Sequence, residues 1–163
     1  MAYLQNMSGP VSTGRIIKTT VFSQINRDYN VTSGTVVTTG NGIDITVGPE
    51  TTILWLFATG TSMAYDPDGV SAAGSYRFYY HSSDTQTGAT PSGAGIGVAR
   101  HMGAWNTTGS TARHDFYGMW TLHDKISVSA STNYKIQLCA YRSGTAYYLN
   151  INGTTMGYAM ESK

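Results

Sequence analysis

Apolar and polar residues alternate along much of the chain, and the alternation is most regular in residues 133–141. A period of two residues predicts a β-strand with one buried face. The apolar set in this strand comprises Tyr134, Ile136, Leu138 and Ala140. Residues 142–145 follow with a glycine that can adopt a positive φ, so the chain is predicted to reverse there and to return as residues 147–152.

Residues 155–161 form the last predicted strand, which starts after a turn at Asn152-Gly153. Gly157 and Ala159 alternate here with three larger residues, which are Met156, Tyr158 and Met160. One face of this strand is therefore made of small residues. Such a face is predicted to allow close approach by another backbone or by another subunit.

The most hydrophobic segment, residues 51–61, is apolar on both faces of the predicted strand. Ile53, Trp55 and Phe57 lie on one side, and Leu54, Leu56 and Ala58 lie on the other. A strand of a two-layer antiparallel sandwich buries one face and exposes the other to water, so this strand needs a second cover. Each large side chain contributes about 1.5–3 kcal/mol when buried, and we therefore expect a neighbouring subunit as the cover. Cover by the N-terminal arm of the same chain is the alternative.

The remaining predicted strands are residues 15–24, 29–39, 42–47, 75–81, 96–104 and 111–122. Gly40-Asn41-Gly42 is predicted to be a turn between two of them, and residues 82–97, rich in Ser, Thr and Gly, are predicted to be a long mobile loop. The total is about nine or ten strands without a helical period, which predicts an all-β antiparallel sandwich or jelly roll. Residues 15–163 are predicted to be one domain, preceded by an extended arm of residues 1–14.

Composition and charge limit the classes of partner. The formal net charge is +1, so no strong field attracts nucleic acid or an anionic membrane surface. Charged residues make up only 12% of the chain, which favours an all-β protein whose polar surface consists of hydroxyl groups. Cys139 is the one cysteine, so the fold is predicted to stand on packing without a disulfide. The first 14 residues lack the features of a signal peptide, and we expect synthesis in a cytoplasm.

No constellation of residues points to catalysis, to a metal or to a cofactor. None of the histidines has the spacing of a pair of metal ligands. The four are His81, His101, His114 and His123. His114-Asp115 and His123-Asp124 are adjacent pairs, and adjacent residues of a strand point to opposite faces. A nucleophile elbow is absent, and Cys139 has no signature of a nucleophile. The chain is therefore predicted to be a non-enzymatic protein without a cofactor.

Three segments carry a resemblance to a known family. They are the opening Thr13-Gly14-Arg15-Ile16-Ile17-Lys18, the middle Thr38-Thr39-Gly40-Asn41-Gly42-Ile43-Asp44-Ile45, and the end, which runs from Tyr134-Lys135-Ile136-Gln137-Leu138 to Ala159-Met160-Glu161. Together they resemble the C1q/TNF-like β-jelly-roll domains of tailed-bacteriophage virion proteins, over residues 14–163. The chain departs from that pattern because it ends in Glu161-Ser162-Lys163 without a final apolar residue.

The resemblance implies a homotrimer. In that family the sheet that contains the first strand, the last strand and residues 132–141 is expected to face the threefold axis. We place the expected subunit interface at residues of three strands, namely Leu54, Leu56, Gln137, Cys139, Tyr141, Gly157 and Ala159.

Two functions are compatible with such a fold. In the first, the chain is a capsid decoration or cement protein, and an arm with Tyr3, Leu4 and Met7 binds the major capsid protein of the shell. In the second, it is a tail-fibre or receptor-binding head, which contacts other tail proteins and recognises host glycans. The candidate glycan-binding residues are Trp105, His114, Tyr117 and Trp120, because aromatic rings stack on sugars. Either function predicts a location in the virion.

Overall fold

The protein is a sandwich of two antiparallel β-sheets, seen in a computed structural model that describes residues 15–23, 29–32, 34–66, 72–105, 114–144, 148–151 and 155–163. The described residues form ten strands: β1 (Ile16–Val21), β2 (Tyr29–Val31), β3 (Val37–Thr46), β4 (Ile53–Asp66), β5 (Ala72–Tyr80), β6 (Gly95–Trp105), β7 (His114–Ser127), β8 (Asn133–Gly144), β9 (Tyr148–Ile151) and β10 (Met156–Ser162). The prediction of an all-β sandwich is confirmed.

The strand order is that of a jelly roll. The second sheet has the order β3-β8-β5-β6. In the first sheet β4 pairs with β7 along its whole length, and on its other edge it pairs with β10 and then with β9. Because β1 pairs with β10 and β2 pairs with β9, the six strands form four rows: β1/β2, β10/β9, β4 and β7. The row with the first strand, β1/β2, therefore lies beside the row with the last strand, β10/β9, as in a double Greek key.

The core lies between the two sheets and is formed by alternate residues of their strands. It includes Leu54, Leu56, Phe78, Trp120, Leu122, Ile136 and Leu138. Because adjacent residues of a strand point to opposite faces, the burial of Leu54 and Leu56 directs Trp55 and Phe57 outward.

The Gly40-Asn41-Gly42 segment is a bulge inside β3, so the predicted turn is wrong. Thr38 pairs with Cys139 of β8, and the next pair is Asn41 with Leu138, which leaves two residues of β3 unmatched. Gly40 has a φ of 82°, a conformation that favours glycine. Glycine and asparagine are favoured in both bulges and turns because they tolerate a positive φ. Composition therefore could not distinguish a bulge from a turn here.

The strand of residues 133–144 also differs from the expected placement. It forms β8 in the middle of the second sheet, whereas β1 and β10 lie in the first sheet. The three strands expected on one sheet are thus divided between two. The alternation in β8 predicted its buried face correctly, but the partner of a strand is set by long-range pairing, which alternation does not encode.

The last strand is fixed to the loop between β3 and β4 by a buried carboxylate. The Oε2 atom of Glu161 accepts hydrogen bonds from the backbone N–H of Gly48 and from the hydroxyl of Thr51, both at 2.7 Å. Glu161 and Thr51 are both buried. These two hydrogen bonds join β10 to the loop, so the contact stabilises the position of β10 between β1 and β4.

Candidate assembly surface

The outer face of the first sheet is apolar and exposed in the single chain. Pairing across the four rows aligns Val21, Tyr158, Phe57 and His123, one from each row. Val21 is 69% exposed, Met156 is 59% exposed and Tyr158 is 40% exposed. Large apolar side chains at this exposure, side by side on one sheet, form the type of patch that marks an interaction surface.

This outer face carries almost no charge. Among the outward-facing residues with described side chains on β1, on residues 53–61 of β4, on residues 119–127 of β7 and on β10, Lys125 is the one lysine, arginine, aspartate or glutamate. The ammonium group of Lys125 lies 5.3 Å from the centre of the Trp55 ring, where the cation is attracted to the ring face. The surface therefore presents apolar and hydroxyl groups over most of its described area.

A groove of about 420 Å³ crosses the centre of this face. Phe57 and Tyr158 are directly paired and stacked, with ring centres 4.9 Å apart and an angle of 14° between the ring planes. Val21 and Met156 also line the groove, and the hydroxyl-bearing residues on its border are Thr19, Thr59 and Thr121. We refer to this feature below as the Phe57–Tyr158 groove.

Gly157 allows β10 to pack closely against the ring of Phe22. A Cβ atom at Gly157 would lie 2.7 Å from the ring of Phe22 and 3.2 Å from the carbonyl oxygen of Phe57. Real Cβ atoms do not approach a ring so closely, so a larger residue would displace Phe22 or the strand. The small residue thus serves packing against Phe22 inside the chain.

Six of the seven residues expected at a subunit interface are buried within the chain itself. Leu54 and Leu56 are 0% exposed and lie in the core. Gly157 and Ala159 point into the sandwich as well, and Gln137 and Cys139 are covered by a loop of the same chain. Tyr141 is half-buried. The expected placement is therefore corrected: the apolar outer side of β4 is that of Trp55 and Phe57.

The covering loop, residues 82–94, is bonded to the free edge of β3 and to the outer face of β8 in the second sheet. Thr38 of β3 exchanges backbone hydrogen bonds with it, donating to Ala89 and accepting from Gly88, both at 2.8 Å. The side-chain amide of Gln137 donates to the carbonyl oxygen of Ser83 at 2.7 Å. This loop covers the second sheet, whereas the first sheet keeps its outer face open.

His81 holds both parts of the covering loop. Its Nδ1 accepts the backbone N–H of Ser92 at 3.0 Å, and its Nε2 lies 2.8 Å from the amide oxygen of Gln86. Because a backbone N–H donates and an amide oxygen accepts, these two partners fit the tautomer that carries its proton on Nε2. His81 is thus a structural contact that holds the covering loop.

Cys139 can report on opening of this loop. It is 1% exposed, points to the face that the loop covers, and burial raises the pKa of its thiol above the ordinary value. We expect His81→Phe to increase the reaction rate of Cys139 with a thiol reagent about tenfold, because the two lost hydrogen bonds contribute about 1–3 kcal/mol in total. His123→Phe, at an exposed position of the first sheet, is the control. Equal rates in the two variants would contradict the role of His81.

Trp120 is a core residue, so it does not belong to an exposed glycan site. It is 6% exposed and stacks on Tyr76 at 4.2 Å, and its Nε1 donates to the hydroxyl of Ser62 at 2.9 Å. The phenol of Tyr76 also donates to Ser62, and burial raises the pKa of that phenol. The side chains of Trp105, His114 and Tyr117 lie outside the described part of the structure.

The arm residues Tyr3, Leu4 and Met7 also lie outside the described residues. The exposed residues of the first sheet were missed as interface candidates, although the sequence held a signal. The large residues of the last strand alternate with Gly157 and Ala159, and they are the ones that form the outer face. Among the described residues, no group of three or more His, Cys, Asp or Glu side chains is placed to hold a metal ion. The described part also contains no helix with the length and hydropathy of a membrane span.

Comparison with known proteins gives weak structural likenesses only. No protein-family model matches the chain, and no curated protein matches it. A structure of the Gt strain of infectious bursal disease virus is similar with a TM-score of 0.35 and 16% identity, over 93% of this chain and 38% of that chain. A mutant VP2 protein of the same virus, in derived T=1 particles, is similar with a TM-score of 0.29 and 12% identity. That similarity covers 99% of this chain and 40% of that chain. The chain thus spans less than half the length of these solved chains, and its fold assignment rests on the strand order.

Proposed function

We propose that the chain is a non-enzymatic structural protein of a virus particle, which assembles as a homotrimer and decorates the outer shell of a bacteriophage capsid. The observation that carries the proposal is the open, apolar and almost uncharged outer face of the first sheet. Jelly rolls occur in viral capsid domains, and the sequence motifs resemble those of phage virion domains. Because a fold alone does not fix a function, the proposal depends on the surface.

The open face approaches the size of a stable interface. Four rows about 4.8 Å apart and residues 53–62 of β4, the part whose exposure the structure describes, at about 3.4 Å each, give a face of about 650 Å². A standard protein interface buries about 800 Å² on each partner. Association of copies in a closed ring would cover this surface and leave no open apolar face for further growth.

A tail-fibre or receptor-binding head is the second candidate. Its glycan site was expected at four residues, and one of them, Trp120, is buried in the core. That leaves three candidates on β6 and β7, so we rank shell decoration first. In both functions the trimer is the assembling unit, and the two differ in where the trimer attaches.

The mass of the native assembly tests the first part of the proposal. At micromolar concentration we expect a trimer of about three times the 17.5 kDa chain, because burial of the apolar face favours association. If the monomer were the one species found at that concentration, the proposal would be overturned.

Copy number tests the second part. Hundreds of copies in each purified particle are expected for decoration, and about a dozen would indicate the tail instead. We further expect a chain that lacks residues 1–14 to remain a trimer and to lose binding to shells. Unchanged shell binding would contradict the role of Tyr3, Leu4 and Met7 in attachment.

A further inference from the structure

Met119 is the most exposed of the large hydrophobic residues that the structure describes. Its side chain is 83% exposed, and it lies on β7 opposite Thr61 of β4. Its neighbour Trp120 points into the core, so Met119 points outward, on the same face as the Phe57–Tyr158 groove. A methionine in this position projects from the sheet as an apolar knob.

The Phe57–Tyr158 groove suits such a side chain. It has aromatic rings on one side, Met156 and Val21 beside them, and the backbone of Gly157 and Ala58 in its lining. Methionine is unbranched and polarizable, so it fills irregular apolar gaps and makes favourable contacts between its sulfur and aromatic rings. No charged residue lines the groove, so an apolar side chain enters it without displacing an ion pair.

Met119 cannot place its side chain against Tyr158 of its own chain. β4 lies between β7 and β10, which separates the two residues by two strand spacings, or about 10 Å. Met119 pairs with Thr61 and Tyr158 pairs with Phe57, so they are also four residues apart along β4, or about 14 Å. The combined separation is about 17 Å. Thr121 on the border of the groove is two residues from Met119 along β7, but the side chain of Met119 is 83% exposed and so leaves the groove of its own chain open to another copy.

We propose that Met119 of one copy of the chain enters the Phe57–Tyr158 groove of the next copy. This inference rests on the proposed self-association and adds to it the contact that sets the order of the copies. Each copy gives one knob and receives one, which a twofold dimer and a threefold ring both allow, and the proposed trimer selects the ring, with a third of a turn between copies.

A disulfide between copies tests the contact. In the variant Met119→Cys/Tyr158→Cys, a bond within one chain is excluded because the Cα separation of about 17 Å far exceeds the 7 Å limit of a disulfide. We expect mild oxidation to link most of the chain into covalent species that end at the trimer on a non-reducing gel. The control is Val98→Cys/Tyr158→Cys, because Val98 is 66% exposed on β6 of the other sheet. The control pair should not form these species.

The outcomes separate this contact from self-association itself. A trimer by native mass that forms no covalent species would overturn the knob-and-groove contact and leave the trimer intact. A monomer by native mass of the unsubstituted chain would overturn both. Covalent species that stop at the dimer would support the contact and overturn the threefold ring. As a second measurement, Met119→Ala is expected to weaken association about 30-fold, as for a central interface residue, and unchanged association would overturn the contact.

Discussion

Replacing Leu56 with alanine is expected to lower the free energy of unfolding by about 3 kcal/mol, because it leaves a cavity in a closely packed core. Leu56 is 0% exposed and pairs with Ala159 and Asp124 on the two neighbouring strands. The measurement is denaturant unfolding at a low protein concentration, where self-association contributes least. The trimer should still form under native conditions, because Leu56 does not reach the outer surface.

Phe57→Ala is the matched control, one residue further along the same strand. Phe57 is half-buried and stacks on Tyr158, so its loss should cost the single chain about 1 kcal/mol. Its main effect is expected on association, seen as a loss of the concentration dependence of thermal unfolding. If Phe57→Ala proved the costlier substitution in the dilute chain, the assignment of inner and outer faces would be wrong.

Replacing Trp120 with alanine is expected to destabilise the chain by about 4 kcal/mol. The substitution removes the stack on Tyr76 and leaves the hydroxyl of Ser62 without its indole donor. Trp120→Phe keeps an aromatic ring and should cost about 1–2 kcal/mol for the lost hydrogen bond. Thermal unfolding of both variants measures the difference.

The outcome for Trp120 also tests whether this residue belongs to a glycan site. A residue of a glycan site would tolerate alanine with little loss of stability, and binding to host glycans would fall instead. Trp120→Ala could instead leave the free energy of unfolding unchanged and abolish glycan binding. That result would refute the place of Trp120 in the core and would support the receptor-binding head. Loss of stability is the result that the contacts with Tyr76 and Ser62 predict.

The sequence predicted the strands well because alternation is a local property. It also showed that both faces of β4 are apolar, but it could not tell which face is inside. Leu56 and Phe57 are similarly hydrophobic, and the choice between them follows from the register of β4 with β7 and β10. Pairing partners about 100 residues apart are not encoded in the pattern of a single strand.

The interface residues were misplaced for a related physical reason. Gln137 and Cys139 alternate with core residues, so the pattern placed them correctly on the outer side of their strand. The cover over them is the loop of residues 82–94, whose Ser, Thr and Gly content predicted a mobile segment. Its position depends on individual hydrogen bonds, such as that from the backbone N–H of Ser92 to His81, and composition does not record these.

The contribution of β10 to the groove has a consequence for synthesis. The groove combines residues near positions 20, 58 and 157, so its lining is distributed over nearly the whole chain. Ribosomes add about 5–20 residues per second and release the N-terminal part first. A nascent chain therefore has no complete groove until β10 has left the ribosome. In the proposed assembly, recognition between copies would begin only with finished chains.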